Sequence, residues 1–272
     1  MREITITKAS GKKARFDPGK VKSTCMRAGA DKETAERIVN QIRPKLYAGI
    51  TTKEIYKLVL KSLAENAGIA VRQRYRLKES IMRMGPAGFS FEVFVGKVLE
   101  NYGYKIRSVG AGIQGRCILH EVDLVLESTY DRKKWMVECK YHNTAGKYTG
   151  LKESLYTHAR FLDLSDVFNH EMLACNTRVS EDVITYARCV RQEVLSWKYP
   201  PEKGLERLIE DKKLYPVTIL GLNRDELEAF LEHKLMIAKD LLDIDINYFT
   251  KKTGISTKRL LALQKLINHI IG

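Results

Sequence analysis

Three residues of this 272-residue chain have the types and spacing to do chemistry. Asp123 lies within Ile118-Leu119-His120-Glu121-Val122-Asp123-Leu124-Val125-Leu126-Glu127. Glu138 and Lys140 lie within Trp135-Met136-Val137-Glu138-Cys139-Lys140-Tyr141-His142. Both runs read as apolar strands, joined by the polar turn Asp131-Arg132-Lys133-Lys134. The period of two along a strand puts Glu138 and Lys140 on one face. A half-buried carboxylate without a partner is costly. Acids in two neighbouring strands, with a lysine two residues on, therefore point to a divalent-cation site. Mg²⁺, or Mn²⁺ in its place, takes oxygen ligands from one or two carboxylates and fills its shell with water and phosphate. A lysine beside it can orient or deprotonate an attacking water and neutralise charge developing on phosphorus. The competing reading is an ordinary inter-strand ion pair.

The elements around these residues are legible too. A helix carries Phe91, Val95, Val98 and Leu99 on its apolar side, with Glu92 beside Phe91. A strand from Tyr104 to Val109 follows. Gly110-Ala111-Gly112-Ile113-Gln114-Gly115 matches GxGxxG in letters, but a strand and not a helix follows it, which excludes a dinucleotide fingerprint and predicts a loop between strands. Beyond Lys140 a helix is expected from Leu151 to Leu164. On it Lys152, Tyr156 and Arg160 recur at i, i+4 and i+8, a stripe that fits a phosphate backbone and a solvated face equally well. His120 and His142 flank the acids and read as packing or DNA-contact residues.

The order Asp-x(14)-Glu-x-Lys on paired strands resembles the PD-(D/E)xK nuclease superfamily, and its surroundings resemble the Mrr-type restriction endonuclease branch. The pieces that match are Phe91-Glu92, Gly103-Tyr104, the Asp123 strand, Glu138-Cys139-Lys140, the helix from Leu151, and the strand and Ser/Thr-initiated helix around Met172 to Glu181. The resemblance implies a restriction-endonuclease-like core, a mixed sheet flanked by helices. It makes Asp123 and Glu138 the metal ligands, Lys140 the catalytic lysine and Glu92 an accessory acid ordering a metal-bound water. No proline precedes Asp123. Glu138 stands where Mrr-type domains often have Gln, which is closer to archaeal Holliday-junction resolvases.

The first third of the chain differs in charge. Residues 1–85 hold 20 Lys and Arg against 8 Asp and Glu, whereas 86–220 and 221–272 each carry a net charge of only +1 of the total +14. Such a block suits polyphosphates, whether a nucleotide or a nucleic-acid backbone. Ile4 and Ile6, the turn Ala9-Ser10-Gly11 and Ala14-Arg15-Phe16 read as a β-hairpin. Asp17-Pro18 starts a helix, Asp31 a second, the capping box Thr51/Glu54 a third, and a fourth runs from about Ile69 to Met84. With Lys8, Gly11, Phe16-Asp17, Lys20 and Thr51-Thr52-Lys53-Glu54-Ile55, this order resembles the ATP-cone, a nucleotide-binding regulatory module. The resemblance implies ATP or dATP held by Lys8, Gly11 and Lys20, although Ala9 and Ser10 replace the polar pair usual before the hairpin glycine.

The expected organisation is α/β, with an N-terminal cone at 1–85, a nuclease domain at 86–220 beginning at the breakers Gly85-Pro86-Ala87-Gly88, and a small C-terminal helical region at 221–272. Turn residues Gly254-Ile255-Ser256 there join two short helices, compatible with a DNA-binding helical module or with a packing bundle. No apolar run approaches the ~18 residues of a membrane span. Five cysteines with no CxxC pair imply neither a zinc knot nor a disulfide framework. The expectation is a cytoplasmic DNA endonuclease, homo-oligomeric through its cone or nuclease domain and responsive to adenine nucleotide. A junction-selective nuclease, a nucleotide-responsive DNA-binding regulator without catalysis and a scaffold assembled through its cone are the alternatives.

Overall fold

A computed structural model describes residues 4–84 and 89–272. The breaker cluster at 85–88 and residues 1–3 lie outside the described residues. Strands β1 (Thr5–Thr7) and β2 (Lys13–Arg15) pair antiparallel around a turn in which Gly11 takes φ +79°, the left-handed region that glycine enters without strain. Helix α1 (Pro18–Arg27) starts where the Asp17 carboxylate accepts from the Gly19 and Lys20 N–H groups, and α2 (Lys32–Ile42) where Asp31 accepts from Thr34. Both arms of the Thr51/Glu54 capping box are present at α3 (Thr52–Asn66). The expected fourth helix is two, α4 (Ile69–Tyr75) and α5 (Leu77–Met82), because the Arg76 N–H turns back to Gln73 and Arg74. Val21, Cys25, Ile38, Ile42, Val59 and Leu63 supply the cone's core.

Helix α6 (Phe89–Glu100) leads into β3 (Tyr104–Gln114), β4 (Leu119–Ser128) and β5 (Lys134–Lys140), an antiparallel meander. The short β6 (Tyr148–Thr149) and helix α7 (Leu151–Asp163) carry the chain to β7 (His170–Cys175), parallel to β5. Then β8 (Arg178–Val179), α8 (Glu181–Val190) and β9 (Glu193–Leu195) add a second parallel neighbour, and α9 (Leu205–Asp211) follows. The result is a mixed five-stranded sheet in the order β3-β4-β5-β7-β9. Alternation sorts its faces. Leu124 meets α6 at Gly96, where an added Cβ would come within 3.2 Å of the Leu124 side chain. Its neighbour Val125 packs with Met136 on Leu164 and Phe168 beyond α7. The glycine-rich run is mostly strand and not loop: β3 extends through Gly110 and Gly112 to Gln114, leaving residues 115–118 as the turn.

The C-terminal region forms α10 (Arg224–Glu232), α11 (Ile246–Thr253) and α12 (Thr257–Ile271), with Gly254 at φ +73° ending α11 and the Ser256 hydroxyl capping α12. The chain folds into two compact units. One joins the chain up to Ser80 with residues 219–226 and 241–272, and the other joins 81–218 with 227–240. Within the first, Arg74 donates to the Ala28 carbonyl at 2.8 Å and to Ile270 at 3.4 Å, and Arg259 grips Glu226. Within the second, Val217 N–H bonds Met236 at 3.0 Å. Among the described residues no helix is long and apolar enough to cross a membrane.

Candidate functional site

The sheet opens where the acids stand. The β4–β5 ladder ends at Leu124↔Val137, one pair short of Asp123 and Glu138. Beyond it β4 continues on β3, through Val122↔Ala111 and Glu121↔Gly112, while β5 continues on β7, through Glu138↔Leu173 and Lys140↔Cys175. In this fork the Cys139 N–H lies beyond the last β4–β5 pair. It donates to Asp123 Oδ2 at 2.7 Å, which fixes one carboxylate to the other strand's backbone. The Asn176 side chain clamps the end of β5, accepting from His142 N–H at 2.8 Å and donating to its carbonyl at 2.9 Å. Tyr141 donates to the Met82 carbonyl at 2.9 Å.

Glu92, from the first turn of α6, joins the same electrostatic cluster. Burial, then the charges of Asp123, Glu138 and Glu121, push its carboxyl up to about 7. Burial and the Asp123 charge push Glu138 up to about 7 as well, against the pull of Arg160 and Lys140. Asp123 is also raised, chiefly by burial, with the Cys139 N–H, Arg160 and Lys140 drawing it back. The four residues expected from sequence, Asp123, Glu138, Lys140 and Glu92, thus share one site. An ordinary ion pair behaves in the opposite way. At the other end of β4, Glu127 is gripped by Arg107 at 2.7 Å and by Arg132 at 2.8 Å, and the Arg107 hydrogen bond holds its carboxyl below the usual range. Raised, mutually repelling acids are a pattern that recurs at functional sites.

Two participants escaped the sequence reading. Arg160, from α7, is turned inward and not left on a solvated face: its Nη1 donates to the Glu138 carboxylate and to the Glu121 carbonyl, and its guanidinium lies 4.9 Å from the Tyr156 ring centroid. The i, i+4, i+8 stripe placed it on the right helix, but only the packing of α7 on the sheet turns it inward. Glu121, two residues before Asp123, contributes charge to all three acids. His120 and His142 are held by Asp163 at 2.8 Å and by Thr149 at 3.0 Å. Asp123 and Glu138 are the residues that could hold a cation. Among the described residues no three His, Cys, Asp or Glu side chains converge at ligating distance.

In the cone, Lys8 and Gly11 stand on the exposed hairpin turn, where Gly11 N–H bonds the Lys8 carbonyl at 2.9 Å. Lys20 stands exposed in the first turn of α1, 3.7 Å from Asp17.

Known proteins share this architecture. The ATP cone domain family matches residues 4–81, and the family described as AF1548-like, C-terminal, matches residues 215–271. An uncharacterized protein of Archaeoglobus fulgidus is 34% identical over 177 residues, which cover 65% of this chain and 99% of that one. A crystal structure described as that of a protein of unknown function, AF1548, superposes with a TM-score of 0.60 at 34% identity, covering 68% of this chain and 98% of the other. A relative matched along nearly its whole length, together with the C-terminal match, places this chain in the AF1548-like family, with an ATP cone at residues 4–81.

Proposed function

We propose that this protein is a divalent-metal-dependent endodeoxyribonuclease with a PD-(D/E)xK-type site, regulated by ATP or dATP through its cone. The observation that carries the reading is the forked sheet, where Asp123, Glu138 and Glu92 are half-buried together with their carboxyls pushed above the usual range while Lys140 stands on the same strand as Glu138. The donor set suits a hard cation: it is all oxygen, its charges are unbalanced, and two carboxylates leave room for water and a phosphate oxygen. Asp123 and Glu138 would hold Mg²⁺ or Mn²⁺, which when bound acidifies a water and polarises a phosphodiester.

The chain's own residues divide the remaining work. Asp123, tethered to the Cys139 N–H, and Glu138, tethered to Arg160, are oriented before any ligand arrives, so little rearrangement is required of them. The Lys140 ammonium offsets negative charge at phosphorus and orients the attacking water by hydrogen bonding. Glu92, with its carboxyl at about 7, is poised to accept a hydrogen bond or a proton from that water. In the cone, Lys8 and Lys20 would meet nucleotide phosphates, with Gly11 letting the hairpin backbone approach. Homo-oligomerisation through the cone or nuclease region belongs to the same proposal.

The test is incubation of the full-length protein with supercoiled plasmid and Mg²⁺, with and without ATP or dATP, beside branched and linear duplexes. Mg²⁺-dependent nicking whose rate changes with nucleotide supports the reading. Strong preference for branched DNA moves it to a junction nuclease. Nucleotide-dependent DNA binding without cleavage leaves a regulator.

A further inference from the structure

We infer that Arg160 is the phosphate-binding residue of this site, docked on Glu138 until a cation and a nucleic-acid backbone replace that contact; the inference rests on the metal-dependent reading above. Three arginines elsewhere in the protein grip carboxylates with Nε and Nη2 together, while the exposed Arg37 and Arg132 reach theirs through one nitrogen. Arg107 holds Glu127 so at 2.9 and 2.7 Å, Arg116 holds Asp166 at 2.8 and 2.5 Å, and Arg259 holds Glu226 at 2.7 and 3.0 Å. That edge presents two parallel N–H groups, the geometry that matches a carboxylate or a phosphate. Arg160 withholds it. Both of its hydrogen bonds, to Glu138 and to the Glu121 carbonyl at 2.9 Å, run through Nη1. Its Nε is buried and finds no acceptor among the described residues.

A buried N–H without an acceptor is costly, so an arginine this buried whose whole task was to neutralise Glu138 would turn its fork to that carboxylate, as Arg107, Arg116 and Arg259 do to theirs. The Arg160 side chain is only 11% exposed and stacks on Tyr156, so water does not supply the missing acceptor freely. The guanidinium and a divalent cation compete for the Glu138 carboxylate. Once the cation takes them, the guanidinium loses its anion inside a crowded acidic site. The anion that arrives with the cation is a phosphodiester, whose two non-bridging oxygens fit the Nε–Nη2 edge. The helix end itself is anchored by Asp163, which accepts from the Cys117 N–H at 2.8 Å and the Ile118 N–H at 3.3 Å.

Competition for Glu138 and binding of phosphate predict effects of opposite sign, which a structural pin does not. The experiment uses the full chain, with Mn²⁺ titrated by calorimetry in the absence of DNA and a fluorescein-labelled DNA duplex titrated in Ca²⁺ to limit cleavage. Arg160→Ala is expected to bind Mn²⁺ several-fold more tightly than wild type. Its duplex affinity should fall by about 10–100-fold, with the salt slope shallower by about one phosphate contact. Arg160→Lys keeps the charge but not the fork, so its Mn²⁺ affinity should stay near wild type and its duplex affinity should be intermediate. Wild-type duplex affinity in Arg160→Lys overturns the inference, even if Arg160→Ala fails to fold. So does unchanged or weakened Mn²⁺ binding by a folded Arg160→Ala. In either case Mn²⁺ binding by wild type that is lost in Asp123→Asn leaves the metal-site reading standing. No Mn²⁺ binding by wild type overturns both.

Discussion

Glu92 and Glu138 carry their carboxyls at about 7, well above the ordinary 4.5, and both rises come first from burial. For an acid whose acidity is weakened by folding, the folded protein binds protons more tightly than the unfolded chain. The associated stability is therefore fully present below about pH 4.5 and is lost as pH rises through about 7. The melting temperature of the metal-free protein should fall between pH 5 and pH 8, on the order of that window. Added Mg²⁺ should flatten the fall, because a bound cation favours the ionised acids. A melting temperature unaffected by Mg²⁺ at pH 8 would count against the cation site. Asp123→Asn relieves part of the repulsion and keeps an oxygen for the Cys139 N–H, so the metal-free variant should melt at or above the wild-type temperature. A structural ion pair would melt lower. At this scale the sequence was informative because spacing fixes which residues share a strand face, and Asp123, Glu138, Lys140 and Glu92 do gather. Arg160 and Glu121 were not assigned to the site because their parts depend on how α7 and β4 lie in three dimensions, which no local period encodes.

Elements position these groups through a few close approaches. Helix α6 brings Glu92 to the site, and at Gly96 it comes so near the sheet that an added Cβ would stand 2.8 Å from Ile106 Cδ1. Gly96→Val should overpack this contact, cost about 1–3 kcal/mol by denaturant unfolding, and lower cleavage more than DNA affinity by displacing Glu92. Unchanged cleavage in a destabilised variant would show that α6 does not place a working group. In the cone, Thr51→Ala removes an observed cap from α3 and should cost about 1 kcal/mol. The caps at Asp17, Asp31 and Thr51 were readable because capping chemistry is local, whereas the break at Arg76 was not, since no glycine or proline marks it. The glycine-rich run misled in the same way. Glycine announces freedom to turn, and Gly110 does take φ +59°, but pairing with β4 resumes at Ala111 and holds Gly112 opposite Glu121, so the strand continues.

For the whole molecule, the decisive asymmetry is charge. The first 85 residues carry an excess of 12 basic groups, and the acids of the forked sheet lie in a nearly neutral stretch. Duplex binding should weaken steeply with salt, log K falling with log salt at about −0.9 per phosphate contact. A flat dependence between low and physiological salt would deny the basic block a part in DNA binding. Calorimetry should also find ATP or dATP binding that Lys8→Ala weakens. Coupling of ~1–3 kcal/mol would change cleavage by roughly 5–150-fold between nucleotide-free and nucleotide-bound protein.

Hydrolysis at the forked sheet is the reaction on which the regulatory predictions depend. Its most direct measure is the nicking rate of supercoiled plasmid in Mg²⁺ by wild type and by Asp123→Ala purified side by side, with melting temperature confirming that both are folded. Loss of a cation ligand should slow cleavage by about 10³-fold or more, while wild type in EDTA is equally inactive. Nicking by folded Asp123→Ala at the wild-type rate would contradict the assignment.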